Sequence, residues 1–180
     1  MRKALYILSQ LNDIDVEWMA NAGNRRSLTA GEVIITAGKQ VESLFIILDG
    51  KISVGVKGIG EIAKLNAGEI LGEISFVDST PPYATVMALI ESNVLELPRA
   101  TIEKRLETEA GFAGRFYKAL AIFLADRLRS TVNHLGYENG KGLDADASLP
   151  DELDDNLLDN VSLAGDRFDR LLRQLHGERI

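Results

Sequence analysis

Leu5, Leu8 and Leu11 recur three apart, and Val16, Met19 and Ala20 resume a helical stripe behind Asp13 and Asp15. That spacing predicts short helices across residues 2–23, with Asp13 or Asp15 as a cap. From Arg26 the period changes. The runs "EVIITA", "SLFIIL", "KISVGV" and "EIAKL" are short, β-branched and punctuated by Gly31, Gly38, Gly50, Gly58, Gly60, Gly68 and Gly72. Such runs predict antiparallel strands, and "YATVMAL" and "SNVLELP" add two more before or at Pro98. The expected architecture is α+β: an antiparallel β-barrel or jelly roll flanked by helices. Between Gly72 and Tyr83 the pattern predicts a turn followed by a loop.

Beyond Pro98 the spacing returns to threes and fours. Phe116, Leu120, Phe123, Leu124, Leu128, Thr131 and Leu135 form one stripe of about six turns, with Gly136 as the expected C-cap. Residues 137–161 are acidic, glycine-bearing and poor in large apolar residues, which predicts a flexible linker. A last amphipathic helix is expected over residues 162–180, ending near Gly177, with Leu163, Phe168, Leu171, Leu172 and Leu175 on its apolar face. The expected division is therefore a domain at 1–136, a linker at 137–161 and a terminal helix at 162–180.

Charge sharpens this picture. The formal net charge is −7, and the segment Glu138–Asn160 alone carries eight acids against Lys141, so the remainder is close to neutral. A chain of this balance lacks the basic surface that phosphate-backbone contacts require, so direct DNA binding is not expected. There is no cysteine, which excludes disulfides and thiolate metal sites and points to a cytoplasmic setting. No run reaches the roughly 18 apolar residues of a membrane span. Both histidines, His134 and His176, lie outside the strand region; a metal-bearing barrel enzyme would need them inside it, and no enzyme is expected.

The segments "AGEVII", "FIILDGKISV", "LNAGEILGEIS", "TPPYATVMAL" and "VLELPR" occur in an order that resembles the cyclic-nucleotide-binding domain family, the effector half of the cyclic-AMP receptor protein class. The resemblance runs from about Leu5 to Leu135. It implies a ligand site built from Gly72, Glu73, Ile74 and Ser75, from Pro82, Tyr83, Ala84 and Thr85, and from Arg127, Ser130 and Thr131 on the long helix. In that family the glutamate at Glu73 accepts a hydrogen bond from the ribose 2′-hydroxyl. Two departures stand out. The winged helix-turn-helix that follows in the family's transcription factors has no counterpart in the acidic segment and the one short helix. Pro82 stands where the family has the phosphate-binding arginine, and proline offers neither charge nor N–H. Losing that charge-assisted pair costs about 3 kcal/mol, roughly a hundredfold in affinity.

Tyr83 then admits two roles: filling the vacated phosphate space or stacking on a purine. Arg25, Arg26, Arg115, Arg127 and Arg129 are the candidate replacement cations. The Gly–Glu pairs at Glu32, Glu61 and Glu69 leave open whether Glu73 faces a pocket or solvent. The altered cassette is similar to that of members responding to cyclic di-GMP, including small cyanobacterial receptors. The expectation is a non-enzymatic second-messenger receptor with cyclic di-GMP as ligand ahead of cyclic AMP and with no further cofactor. It would form a homodimer through the long helix and regulate a partner protein such as a transcription factor. Two alternatives stay open: a ligand-free adaptor whose terminal helix docks a target, and a cyclic AMP binder with a rebuilt phosphate site.

Overall fold

A computed structural model describes residues 9–138 and 155–175, the side chains of Ser130, 133–138 and 155–164 excepted. Leu5 and Leu8 therefore lie outside the described residues. The first complete helix, α1, spans Asp13–Ala22. Its N-cap is Asn12, not either aspartate. The Asn12 side chain accepts from the Asp15 N–H at 2.8 Å, and the Asp15 carboxylate accepts from the Asn12 N–H at 3.0 Å. This reciprocal capping box satisfies two N–H groups that a helix start leaves unpaired.

Eight strands follow: β1 (Asn24–Leu28), β2 (Val33–Ile35), β3 (Ser43–Asp49), β4 (Lys51–Val56), β5 (Gly60–Asn66), β6 (Ile70–Leu71), β7 (Thr85–Ala88) and β8 (Ser92–Pro98). All pairings are antiparallel. The expected barrel does not close. The strands form two four-stranded sheets, ordered β1-β8-β3-β6 and β2-β7-β4-β5. At three and two residues, β2 and β6 are too short to bridge the edges. The jelly-roll side of the expectation stands.

Two cores explain the sequence pattern. Phe45, Ile47 and Val94 face Ile52, Val54, Leu65 and Val86 between the sheets. Leu44, Ile46, Leu48, Leu95 and Leu97 face the opposite way, against the helices. β3 and β8 are thus buried on both faces, which is why they read as continuous apolar runs. Gly50 turns β3 into β4 where no side chain fits: its φ is +108°, and a Cβ there would lie 2.1 Å from Ser92 Oγ of β8.

Four more helices follow among the described residues: α2 (Glu73–Asp78), α3 (Arg99–Thr108), α4 (Ala110–Glu138) and α5 (Asp155–Leu175). α2 replaces the loop expected there. α4 passes through Gly136 instead of ending at it, and α5 begins before the expected Ser162. The long stripe on α4 divides between two faces. Phe116, Leu120 and Phe123 are buried, whereas Leu128 and Thr131 are exposed. The apolar face of α5 folds back on its own chain. Leu171 is fully buried, worth about 2 kcal/mol, and Phe168, Leu172 and Leu175 pack against the helix-side core. An adaptor helix laying that face in a target's groove is therefore not the arrangement seen.

α1, α3 and α4 meet at one buried cluster. Asp15 is fully buried and accepts from Arg115 Nε at 2.6 Å, Arg115 Nη2 at 3.0 Å and Arg105 Nη2 at 3.3 Å. Arg105 lies between the rings of Trp18 and Phe112, 4.5 and 4.3 Å from their centroids. Its Nε and Nη1 have no hydrogen-bond acceptor among the described residues; the aromatic faces supply the compensating attraction.

Candidate functional site: the cassette helix and the long helix

β6 ends at Leu71, and Gly72 turns the chain into α2 with φ +86°. Only glycine fits: a Cβ there would lie 2.9 Å from the Ser43 carbonyl oxygen and 3.2 Å from Val41 Cγ1. The left-handed turn swings Glu73 inward, and the residue is only 2 % exposed. The Gly–Glu pairs at Glu32, Glu61 and Glu69 have local duties instead. Glu32 accepts from the Thr29 N–H, Glu69 from the Asn66 N–H, and Glu61 from the Ser53 hydroxyl. Glu73 is the one that leaves solvent.

Its partner comes from 54 positions along the chain. Arg127 Nη1 of α4 donates to Glu73 Oε1 as a charged pair, with the guanidinium also over the Phe123 ring at 5.3 Å. Burial pushes the Glu73 carboxyl above its ordinary value, and the Arg127 charge and hydrogen bond offset this only in part. A second contact joins the same elements: the Phe76 ring of α2 meets Phe116 of α4 edge-on, centroids 5.7 Å apart. α2 cannot shift without pulling on α4.

The far end of α2 is held by Arg99, which the sequence reading passed over although it closes the "VLELPR" segment. Its guanidinium donates to the Ser75 carbonyl at 2.9 Å, the Phe76 carbonyl at 3.2 Å and the Ser79 hydroxyl at 3.0 Å. The Phe76 carbonyl is one that a helix C-terminus leaves unpaired, the Ser75 carbonyl also accepts from the Ser79 N–H at 3.0 Å, and a cation is favoured at this end of a helix. Arg99→Ala should cost about 2 kcal/mol and raise amide exchange at Phe76–Ser79 while leaving β3 and β8 protected. Equal loosening of the sheets would contradict a clamp confined to α2.

The remaining candidates sit as follows. Ser75 is buried, whereas Ile74 is exposed on the outer side of α2. Pro82 accepts from the Gly38 N–H through its carbonyl at 2.8 Å, and Thr85 Oγ1 accepts from the Ala37 N–H at 3.3 Å. The loop carrying Pro82, Tyr83 and Ala84 is thereby pinned to the β2–β3 connection. Tyr83 is 87 % exposed; it does not fill the space beside Pro82. Thr131 is exposed and donates to the Arg127 carbonyl at 2.9 Å. Ser130 precedes it on α4, its side chain being outside the described residues.

Of the candidate cations, Arg127 alone reaches the cassette. Arg115 is tied to Asp15, and Arg26 to Glu32 and Glu96. No acceptor among the described residues pairs with Arg25 or Arg129. The described residues hold no cluster of three or more metal-ligating side chains and no helix long and apolar enough to cross a membrane.

The site is thus a two-sheet roll with a glycine-initiated helix against it, a buried carboxylate on that helix and a long helix behind it. Residues 25–109 match the family model of the cyclic nucleotide-binding domain. The chain is 27 % identical over 104 residues to the cAMP-dependent protein kinase regulatory subunit of Eremothecium gossypii, covering 58 % of this chain and 23 % of that subunit. It is also 30 % identical over 124 residues to glutaminase 2 of Bradyrhizobium diazoefficiens, covering 68 % of this chain and 19 % of that enzyme. The chain thus spans less than a quarter of the length of these curated relatives. Among solved structures, a cyclic nucleotide-binding domain from Methylobacillus flagellatus superposes with a TM-score of 0.66 at 21 % identity, covering 73 % of this chain and 80 % of that one. That likeness is one of fold.

Proposed function

We propose that this chain is a non-enzymatic, cytoplasmic second-messenger receptor that binds a cyclic mono- or dinucleotide, cyclic di-GMP ahead of cyclic AMP. The observation that carries the reading is the redistribution of charge at the cassette: proline at position 82, and Arg127 beside the buried Glu73 instead. A carboxylate next to a guanidinium suits a ligand offering both donors and anionic or carbonyl acceptors. Guanine provides N1–H and N2–H donors on one edge and O6 and N7 acceptors on the other, and a phosphodiester adds the anion. The exposed face of Tyr83 is free to stack on a base. With no cation at position 82, the single cyclic phosphate of cyclic AMP lacks its usual anchor.

Ligand occupying Glu73 and Arg127 competes with their mutual pairing, so α4 answers to binding. The outer face of α4, with Tyr117, Leu128 and Val132 all at least 45 % exposed, is the seam of the proposed homodimer. A change at that seam is what a partner, such as a transcription factor, would read. Calorimetry against cyclic AMP, cyclic GMP, cyclic di-GMP and cyclic di-AMP tests the reading. Cyclic di-GMP should bind tightest, and Glu73→Ala should weaken it at least about tenfold, the scale of one lost charged contact. Tighter binding of cyclic AMP would overturn the choice of ligand, and no heat from any of the four would overturn the receptor itself.

A further inference from the structure

The bay beneath α5 has the properties of an exchangeable seat. Its walls are α1 and the outer face of the sheet containing β1, β8 and β3, and its apolar contacts with α5 are Phe168, Leu171, Leu172 and Leu175. These positions follow the i, i+3, i+4, i+7 spacing of one helix face. The polar edge is a pair of arginines three residues apart. Arg167 Nε donates to Asp13 Oδ1 at 2.8 Å, and Arg170 Nη1 donates to Asp13 Oδ2 at 3.0 Å. Gln174 adds a hydrogen bond to Asn21 at 3.2 Å.

Two features set this seat apart from permanent core. Its shared carboxylate is at the surface, Asp13 being 53 % exposed, and so is the Arg170 pair at 46 %, where such a pair contributes little, although Arg167 is only 13 % exposed. The fit is also incomplete: a cavity of about 280 Å³ remains beside Leu172, bordered by Leu48, Arg25, Asp49 and Asn93. The strand register puts Arg25 and Asn93 on the face that carries Leu95, so polar groups line the unfilled end. α5 seats one buried leucine well and leaves room at the next.

We propose that this bay is a docking surface for an amphipathic helix of a partner protein, and that α5 is its intramolecular competitor. The partner helix carries two arginines one turn apart to meet Asp13, a leucine in the Leu171 seat, and a side chain larger than Leu172 that fills the adjoining cavity. Helix-in-groove recognition of this kind reads anchors spaced along one face. A covalently attached helix competes at high effective concentration, so the surface stays closed until a better-fitting helix arrives or the strap is weakened. The inference rests on α1, α5 and the sheet, and stands apart from the identity of any nucleotide.

A fluorescently labelled peptide spanning residues 155–175 is the probe, titrated by anisotropy into the full chain and into the full chain bearing Arg167→Ala and Arg170→Ala. Weakening the internal competitor should raise the affinity for the native peptide by at least about tenfold, and a peptide with Leu172→Phe should bind tighter still. Asp13→Arg in the full chain should abolish the gain. Amide exchange over residues 165–175 of the wild-type chain should accelerate when the peptide is present in excess. Failure of the peptide to bind the weakened chain, or exchange over 165–175 as slow there as in β3 and β8, would overturn the proposal. So would concentration-dependent dimerisation of the weakened chain that excludes the peptide, since the occupant would then be a second copy's α5.

Discussion

Asp15→Ala should lower stability by roughly 3–5 kcal/mol, the usual effect of removing one partner from a buried ion pair. In a chain of this length that corresponds to a fall of on the order of 10 °C in the thermal midpoint. The cause lies in what is left behind. Arg105 is buried between two aromatic rings and would keep only Glu109, at 3.0 Å, as a carboxylate partner. The Asn12 N–H would lose its acceptor as well, one half of the α1 capping box. Asp15→Asn, which retains an oxygen for the Arg115 donors, should fall between the two. Differential scanning fluorimetry decides the matter, and a change below 1 kcal/mol would mean that the three helices do not depend on this carboxylate.

The same residue sets an expected pH profile. Burial of Asp15 opposes its ionisation, but the Arg115 and Asn12 hydrogen bonds and the charges of Arg115 and Arg105 prevail, so its carboxyl titrates below the ordinary aspartate value. Its contribution is complete above that ordinary value and disappears as pH falls through the depressed one. Glu73 acts in the opposite sense. Because burial raises its value, its charge costs stability at neutral pH, and mild acid relieves that cost before Asp15 begins to protonate. Asp15→Ala should therefore flatten the acid limb of the stability curve without removing the rise contributed by Glu73.

Gly72→Ala carries the second large effect. A left-handed backbone costs an alanine about 1–2 kcal/mol, and the added Cβ would lie 2.9 Å from a strand carbonyl that has no freedom to withdraw. A total of about 2–4 kcal/mol is expected. The response should also be directional: α2 tilts, Glu73 loses Arg127, and nucleotide affinity falls with stability. Urea unfolding followed by titration of the folded variant would show both. Wild-type stability in this variant would mean that position 72 does not hold the conformation described.

How much of this could be read from the chain depends on how far each contact reaches. β3 and β8 announce themselves because burial on both faces demands unbroken apolar runs. β1, "NRRSL", buries only Leu28 and carries no alternation, and α2 has six residues, too few to display a helical period. Glu73 could not be separated from Glu32, Glu61 and Glu69: each follows a glycine, all four of these glycines are left-handed, and only the packing of α2 against α4 sends one carboxylate inward. Its pairing with Arg127 spans 54 residues, and no local pattern encodes such a distance. On α5 the apolar stripe was plain; that its groove belongs to the same chain was not, because amphipathicity specifies a face and leaves the opposite surface unnamed.

Trp18 is the chain's only tryptophan, and it stands where α1, α3 and α4 converge, 5.4 Å from the Phe112 ring and beneath the Arg105 guanidinium. Indole emission is sensitive to a nearby cation and to water. Intrinsic fluorescence of the unmodified protein is thus a single-point optical gauge of that junction, reporting a helix that slackens there without labels or engineered residues.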